Sequence, residues 1–362
     1  MRLVLLGDGQ SPHLLKWARA LAPEVELWLA SSRGFAPELE ALLPAARRYA
    51  MGTAPAHGGG NVAILKQLPA LGAWLARVDA DWINAHYLTS HGTLAWAAKR
   101  GWRLRARIAG SAWGSDILLA PQRGLAYRWL TRRVLRACTL CTSDSRHMTA
   151  RMRELGAGEV MTFPFGLEAL PRQSASKQPW LFFANRALEP LYRPQRVIEA
   201  FAAVAAVQAE ARLVVANDGS LRAALQQQVQ DLGLAQRIEF VGRLDAATQA
   251  GCYARARWYL SLPASDSVAV SVLEAMAHEC LPLLSDLPAN RELLEAGAGR
   301  GLILDEPAGG GFARLPAQLQ DLAPQAAAAG AVNRAWVAQH GLFGPAVRGF
   351  VQRLKELGTG AA

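Results

Sequence analysis

WLFFANRALEPLYRPQRVIEAFAAVAAVQ, residues 180–208, contains one full period of the pattern that decides the fold. Residues 180–185 form a short apolar run of strand length. Residues 194–208 open with a proline and carry apolar side chains at helical spacing, which predicts a helix. The polar loop between them holds Arg186 and Arg193. Downstream the rhythm repeats: RLVVAN (212–217), IEFVG (238–242), WYLSLP (258–263), LPLLSD (281–286) and GLILD (301–305) read as strands with helices between. The tail reads as helical around 313–329, 331–339 and 345–357.

Upstream, EALPRQSASKQPW (168–180) is polar, rich in Pro, Ser and Gln, and has no apolar period. It predicts a linker over 168–179. Before it, RLVLLG (2–7), VELWLA (25–30), WINAHY (82–87), RLRARIAG (103–110), LCTSDS (140–145) and VMTFPFG (160–166) alternate with helical stretches in the same way. Strand–helix alternation at this spacing implies parallel sheets covered by helices on both faces. The expected organisation is an N-terminal domain over 1–167, a C-terminal domain over 180–340, and a final helix over 341–362 able to cross back to the N-terminal domain. In such sheets ligands bind at the carboxyl ends of the strands.

Bulk properties exclude several classes. The 362 residues suit two domains, and the composition is ordinary for a globular chain. No apolar run reaches membrane-spanning length, and the N-terminus reads as a strand rather than a leader. The expected location is cytoplasmic, with peripheral attachment to the inner membrane face as an extension. Cys138 and Cys141 form an isolated C-x-x-C and, with Cys252 and Cys280, read as core cysteines, since no second ligand pair completes a zinc site. There is no phosphate-binding G-x-x-x-x-G-K-[ST], no H-E-x-x-H and no G-x-S-x-G. GDGQSP falls short of a dinucleotide fingerprint. Asp79-Ala80-Asp81 resembles an acid-x-acid metal motif but precedes its strand and reads as a polar loop.

The net charge of +10 is uneven. Residues 1–170 hold 21 Lys and Arg against 12 Asp and Glu, while residues 171–362 hold 18 against 17. Arg128, Arg132 and Arg136 are spaced to share one helical face. The readings are a solvated helix surface, an anionic membrane or an acidic acceptor. Nucleic acid is not expected, because no stacking platform or recognised module accompanies the basic residues.

The most informative segment is SLPASDSVAVSVLEAMAHECLPLLSDLPANRELLEAG (261–297). A strand ends near Pro263, a polar loop follows, and a helix begins near Val270. Asp266 lies in the loop and Glu274 about one turn inside the helix. Backbone N–H groups at such a helix start suit a diphosphate. This segment resembles the donor-site signature of retaining glycosyltransferases of family 4. The resemblance implies a GT-B fold, in which two Rossmann-like, doubly wound parallel-sheet domains face a cleft. It implies that Glu274 binds the ribose, that Asp266 binds hydroxyls of the transferred sugar, and that the backbone near Ser267, Val270 and Ser271 holds the phosphates. Arg186 matches the family arginine that neutralises the diphosphate, Arg193 stands in for its lysine, and VVANDGSLRAALQ (214–226) supplies the family's loop glycine as Gly219.

The N-terminal domain is then expected to bind the acceptor, with Gly9, His13, His86 and Trp113 on the acceptor side. Trp113 occupies the place of the family's sugar-contacting histidine in Trp-Gly-Ser-Asp, while Gly114 and Asp116 remain. Asp116, Asp266 and Arg186 are the expected catalytic group. Asp266 stands where the family usually has Glu, and Glu279 where it commonly has Gly. No metal and no cofactor are implied beyond a nucleoside diphosphate sugar as donor, and the acceptor is expected to be a lipid-linked or polysaccharide precursor. Two other readings keep the architecture: a non-catalytic binding or scaffold subunit, and a nucleotide-sugar epimerase.

Overall fold

A computed structural model describes residues 1–53, 62–172, 176–294, 300–304 and 311–359. The chain divides into two compact units, Met1–Pro164 with Phe343–Ala362, and Phe165–Leu342. Of the segment expected to be a linker, 173–175 lie outside the described residues. Lys177, beyond them, donates through Nζ to the carbonyls of Tyr253 and Ala256, at 2.7 and 2.8 Å.

Unit 1 is built on seven parallel strands: β1 (Arg2–Gly7), β2 (Glu26–Ser31), β3 (Arg48–Ala50), β4 (Trp82–His86), β5 (Arg107–Ser111), β6 (Cys138–Ser143) and β7 (Glu159–Thr162), in the order β3-β2-β1-β4-β5-β6-β7. Leu3 to Leu6 are fully buried, as expected for a strand covered on both faces. Leu5 pairs with Leu29 on one side and Asn84 on the other. The order therefore reverses between β1 and β4. Side-chain caps start the flanking helices: Ser11 accepts from the His13 N–H before Pro12–Leu21, and Ser145 from the Met148 N–H before Arg146–Glu154. The helix Phe343–Thr359 completes this unit. Phe343 and Phe350 stand edge-on to Trp17 at 5.1 and 5.5 Å, Arg353 grips Glu159 at 2.6 and 2.8 Å, and Arg107 donates to the Leu357 carbonyl.

Unit 2 has six parallel strands: β8 (Gln178–Ala184), β9 (Arg212–Ala216), β10 (Ile238–Gly242), β11 (Ala256–Ser261), β12 (Leu281–Ser285) and β13 (Leu302–Leu304), in the order β10-β9-β8-β11-β12-β13. The reversal falls between β8 and β11. Its core packs Phe182, Phe201 and Trp258 between sheet and helices.

Three local expectations are corrected. The strand expected over 103–110 begins only at Arg107, because Arg103 is left-handed (φ 50°) after the helix Thr93–Gly101, and Lys99 Nζ holds the Leu104 and Ala106 carbonyls. β3 was not anticipated: it is a three-residue edge strand, and neither Arg48 nor Tyr49 is fully buried. The tail breaks at a 3₁₀ turn, Ala323–Gln325, and not near 330. Pro324 interrupts the helix there, whereas Gly330 sits inside Ala326–His340. The four cysteines are free and buried. Asp79 and Asp81 both pair with Arg105, and Asp81 also accepts the Arg2 N–H, so they form a polar loop at the strand starts.

Candidate functional site

In open parallel sheets the point where strand order reverses leaves a crevice at the carboxyl ends, with loops diverging on either side. In unit 2 that point joins the loop after β8, beginning Asn185-Arg186, to the loop 262–269 after β11. Arg186 Nη2 lies 2.6 Å from Asp266 Oδ2, and Nη1 lies 3.2 Å from the Ser271 hydroxyl. Its guanidinium also sits over the Tyr192 ring, 4.4 Å from the centroid. The side chains of Arg186 and Asp266 are 18% and 21% exposed, so the pair is sheltered and still reachable. Burial raises the Asp266 carboxyl, and the adjacent Arg186 and the Ser267 N–H only partly offset it. For Arg186 burial works against the charge, but Asp266 together with Tyr259 and Tyr192 outweighs it and the net shift is upward.

The helix Val270–Ala277 starts at Ala269, which has no side chain to cap the first turn. Ser271 and Glu274 lie on this helix. Ser267 is buried in the preceding loop, and its N–H donates to Asp266 Oδ1 at 3.0 Å. Glu274 Oε2 lies 3.0 Å from the Tyr253 hydroxyl and 3.4 Å from Gln249 Nε2. A relay extends inward from it: Asn185 Nδ2 donates to the Tyr253 hydroxyl at 2.8 Å, and Tyr259 donates to Asn185 Oδ1 at 2.7 Å. Burial pushes the Tyr259 phenol up to about 12 and Tyr253 well above its usual range, so both stay protonated. Asn185, Tyr253 and Tyr259 were not anticipated. Only the position of Asn185 beside Arg186 at a strand end hinted at a role.

Arg193 is left-handed (φ 45°), and its guanidinium donates to the carbonyls of Leu262 and Pro263 at 2.9 and 3.2 Å. It therefore holds the loop that carries Asp266. Gly219 lies against the loop after β8. A Cβ there would strike the Leu188 carbonyl, while Leu188 donates its N–H to the Asp218 carbonyl and accepts from the Leu221 N–H across the same contact. The structure thus brings Arg186, Asp266, Ser271 and Glu274 together, with Arg193 and Gly219 supporting their loops.

In unit 1 the reversal point lies between β1 and β4. Gly9 donates to Ser31 Oγ at 2.8 Å, and a Cβ there would meet Gly34 O and Phe35. His86 ends β4 in the interior, and Tyr87 follows at φ 61°. The Trp113 indole N–H donates to His86 Nδ1 at 3.2 Å. Around Trp113 the His13 ring lies at 4.5 Å and the Tyr87 ring at 5.9 Å, the latter stacked. Burial, with smaller contributions from His91 and His13, holds His86 well below its usual range. Asp116 is buried and accepts the backbone N–H of Trp113 at 2.9 Å and of Leu88 at 2.8 Å. Burial raises its carboxyl and these N–H groups work in the other direction. It clamps the turns after β4 and β5 to each other. His91, not anticipated, lies beneath: Nδ1 donates to the His86 carbonyl at 2.8 Å and Nε2 accepts from Ser32 at 3.0 Å. Burial lowers it to about 4.

This pairing of two parallel-sheet units is the architecture of GT-B glycosyltransferases. Sucrose-phosphate synthase from Thermosynechococcus elongatus superposes with a TM-score of 0.78 at 14% identity, covering 99% of each chain. HepE from Anabaena in complex with UDP gives 0.75 at 14% identity, over 98% of this chain and 100% of that one. The lipopolysaccharide outer core galactosyltransferase WaaB gives 0.67 at 13% identity, over 98% and 100%. At these identities the likeness establishes the fold. No curated protein matches the chain. Residues 168–330 match the family model described as glycosyl transferases group 1, and residues 2–145 match that described as glycosyl transferase 4-like. The chain belongs to the group 1 glycosyltransferases.

Proposed function

We propose that this glycosyltransferase moves a sugar, with retention of configuration, from a nucleoside diphosphate sugar to an acceptor hydroxyl. The observation that carries the reading is the arrangement of Arg186, Asp266 and Ser271 around the start of the helix Val270–Ala277, with Glu274 one turn inside. A guanidinium and helix N–H groups bind phosphate oxygens, and carboxylates accept from vicinal hydroxyls. A donor diphosphate would take over part of the Arg186 fork and release Asp266 Oδ2 for hydroxyls of the sugar. Ser267, Val270 and Ser271 line the phosphates, and Glu274, braced by Tyr253, takes the ribose. The departing diphosphate then meets the positive charge and dipoles needed to stabilise it, without a metal. Retention is carried by the family resemblance and implies front-face attack, with the leaving phosphate helping to take the acceptor proton.

Arg193 and Gly219 serve by fixing loops, and Asp116 by positioning Trp113. Unit 1 takes the acceptor through Trp113, His13, His86 and the Gly9 loop. HepE was crystallised with UDP and with UDP-glucose, which favours a uridine nucleotide for this chain as well. WaaB acts on lipopolysaccharide outer core, and a lipid-linked or polysaccharide acceptor at the inner membrane face fits the +9 balance of residues 1–170. The departures from the family pattern at Trp113 and Glu279 are the features that favour a non-catalytic subunit instead.

The test is thermal stabilisation by UDP, GDP, ADP and CMP for wild type and Glu274→Ala. A ligand at 100 times its dissociation constant adds about 2.7 kcal/mol. The expected result is stabilisation by one diphosphate that the variant loses, with slow release of that diphosphate from its sugar conjugate. No stabilisation at millimolar concentration, and no release, would leave the non-catalytic reading in its place.

A further inference from the structure

The helix Leu125–Ala137, LAYRWLTRRVLRA, turns one side inward, where Thr131, Val134 and Leu135 are buried. A rotation of about 100° per residue puts Leu125, Trp129, Arg132, Arg133 and Arg136 on the opposite side. Leu125 is 85% exposed and Trp129 54%; Arg133 and Arg136 are exposed, Arg132 is half-buried, and Arg128, at the edge of this face, is exposed as well. Among the described residues eight large apolar side chains are exposed, and two of them, Leu125 and Trp129, lie one turn apart on this outward side, while Tyr127 falls nearer the inward one. That clustering marks an interaction surface, since scattered apolar residues need no explanation and grouped ones do. Trp96, on the adjoining helix Thr93–Gly101, stands edge-on to Trp129 at 6.5 Å, and the Arg133 guanidinium lies over the Trp129 ring at 5.4 Å.

Charge identifies the partner's chemistry. Residues 117–137 contain Arg123, Arg128, Arg132, Arg133 and Arg136 and no acid. Four of these lie on the helix and Arg123 ends the 3₁₀ turn before it, and an acid-free basic run of this kind favours a polyanionic surface. An exposed leucine gains nothing from a nucleic acid backbone, which is met by charge. A protein partner would need a groove shaped to this convex ridge, whereas a bilayer deforms around it. Tryptophan belongs at the headgroup level, and arginine stems let their charged ends reach phosphates while the methylenes stay in apolar surroundings.

We propose that this helix is an anionic-bilayer docking site, with Leu125 and Trp129 inserted below the headgroups and Arg128, Arg132, Arg133 and Arg136 on lipid phosphates. The inference extends the membrane-facing part of the proposed function and does not depend on the donor site. Binding then requires both the apolar wedge and the charges, as for other interfacial helices.

The test is co-sedimentation of the full chain with phosphatidylcholine vesicles, with and without phosphatidylglycerol. The expected result is binding that depends on phosphatidylglycerol and falls at least about tenfold both in Leu125→Ser/Trp129→Ser and in Arg128→Gln/Arg132→Gln/Arg133→Gln. Leu125→Trp, which empties no core position, should tighten it. The thermal midpoints and any UDP-induced shift should match wild type in all three variants. Retention of wild-type binding by the double serine variant, or failure of Leu125→Trp to tighten it, would overturn the inserted geometry. Wild type left in the supernatant would overturn the proposal and turn the search to an acidic protein partner. Absence of a UDP shift in wild type counts against the donor site alone.

Discussion

At the ends of β8 and β11, unit 2 presents an ion pair that is about one-fifth exposed. At the ends of β1 and β4, unit 1 buries its ionisable groups and turns half-buried rings outward. Arg186 and Asp266 are held by each other, a pairing that an incoming anion and a set of hydroxyls can take over. His91 and Asp116 are buried and satisfied by backbone groups and by Ser32, partners that hold the turns of the unit in place. The difference separates a site built to exchange partners from one built to hold a shape. It also explains where departures from the family pattern are tolerated. A ring can replace a ring at Trp113 when the surface there is defined by packing, whereas an arginine in the role proposed for Arg186 has no such substitute.

The comparison is broken most forcefully at Arg186. Arg186→Ala should lower transferase turnover by roughly 10²–10³-fold, the range seen when one charge-stabilising donor is removed from a reacting centre. Initial-rate assays with the donor identified by thermal shift would measure it, and an unchanged rate would remove Arg186 from the chemistry. The next effect is on unit 1 and on pH. His91 in the folded chain sits at about 4 against an ordinary 6.5, so the unfolded chain binds its proton first. Its contribution is complete above about pH 6.5 and is lost as pH falls toward 4, by up to about 3 kcal/mol. His91→Gln, which cannot titrate, should flatten the acid limb of a stability-against-pH curve measured by denaturant unfolding from pH 7.5 to 4.

Asp116→Asn turns one of two acceptor oxygens into a donor that faces a backbone N–H. A loss of about 2 kcal/mol is expected, seen as a fall in Tm with the UDP-induced shift intact. Loss of the shift instead would mean that unit 2 depends on unit 1 for its site. The smallest effect concerns Glu279, which is left-handed at φ 63°. A glycine carries no Cβ penalty in that region. Glu279→Gly should therefore stabilise the chain by about 0.5–1 kcal/mol in chemical denaturation, without altering donor binding.

Much of unit 2 was legible because its signals are contiguous. A strand end, a loop acid, a helix start and a helix acid fall within residues 261–274, and the strands are continuous apolar runs. Glu279 read as an odd departure until its backbone angle gave a physical reason why glycine suits that place. The bracing relay was not legible: Asn185 meets Tyr253 and Tyr259 across 68 and 74 residues, and buried tyrosines look like core in a sequence. Arg193 was expected to face phosphate, yet its guanidinium reaches the Leu262 and Pro263 carbonyls, a direction set by a left-handed backbone that no motif encodes. In unit 1 the strands were visible, apart from the short edge strand β3, but the clamp from Asp116 to Leu88 and the burial of His91 depend on turns whose register the sequence leaves open.

The helix Phe343–Thr359 has a consequence for biosynthesis. Trp17 leaves the ribosome before unit 2, and the rings that cover it, Phe343 and Phe350, leave after it, separated from Trp17 by all of unit 2. During translation, then, unit 1 begins before unit 2 and is completed after it. Unit 2 can close on residues 165–342 while unit 1 still exposes an apolar seam along Pro12–Leu21. Such a seam is what chaperones bind. That seam is covered only when the segment beginning at Phe343 arrives, so a chain that stops within unit 2 leaves it open.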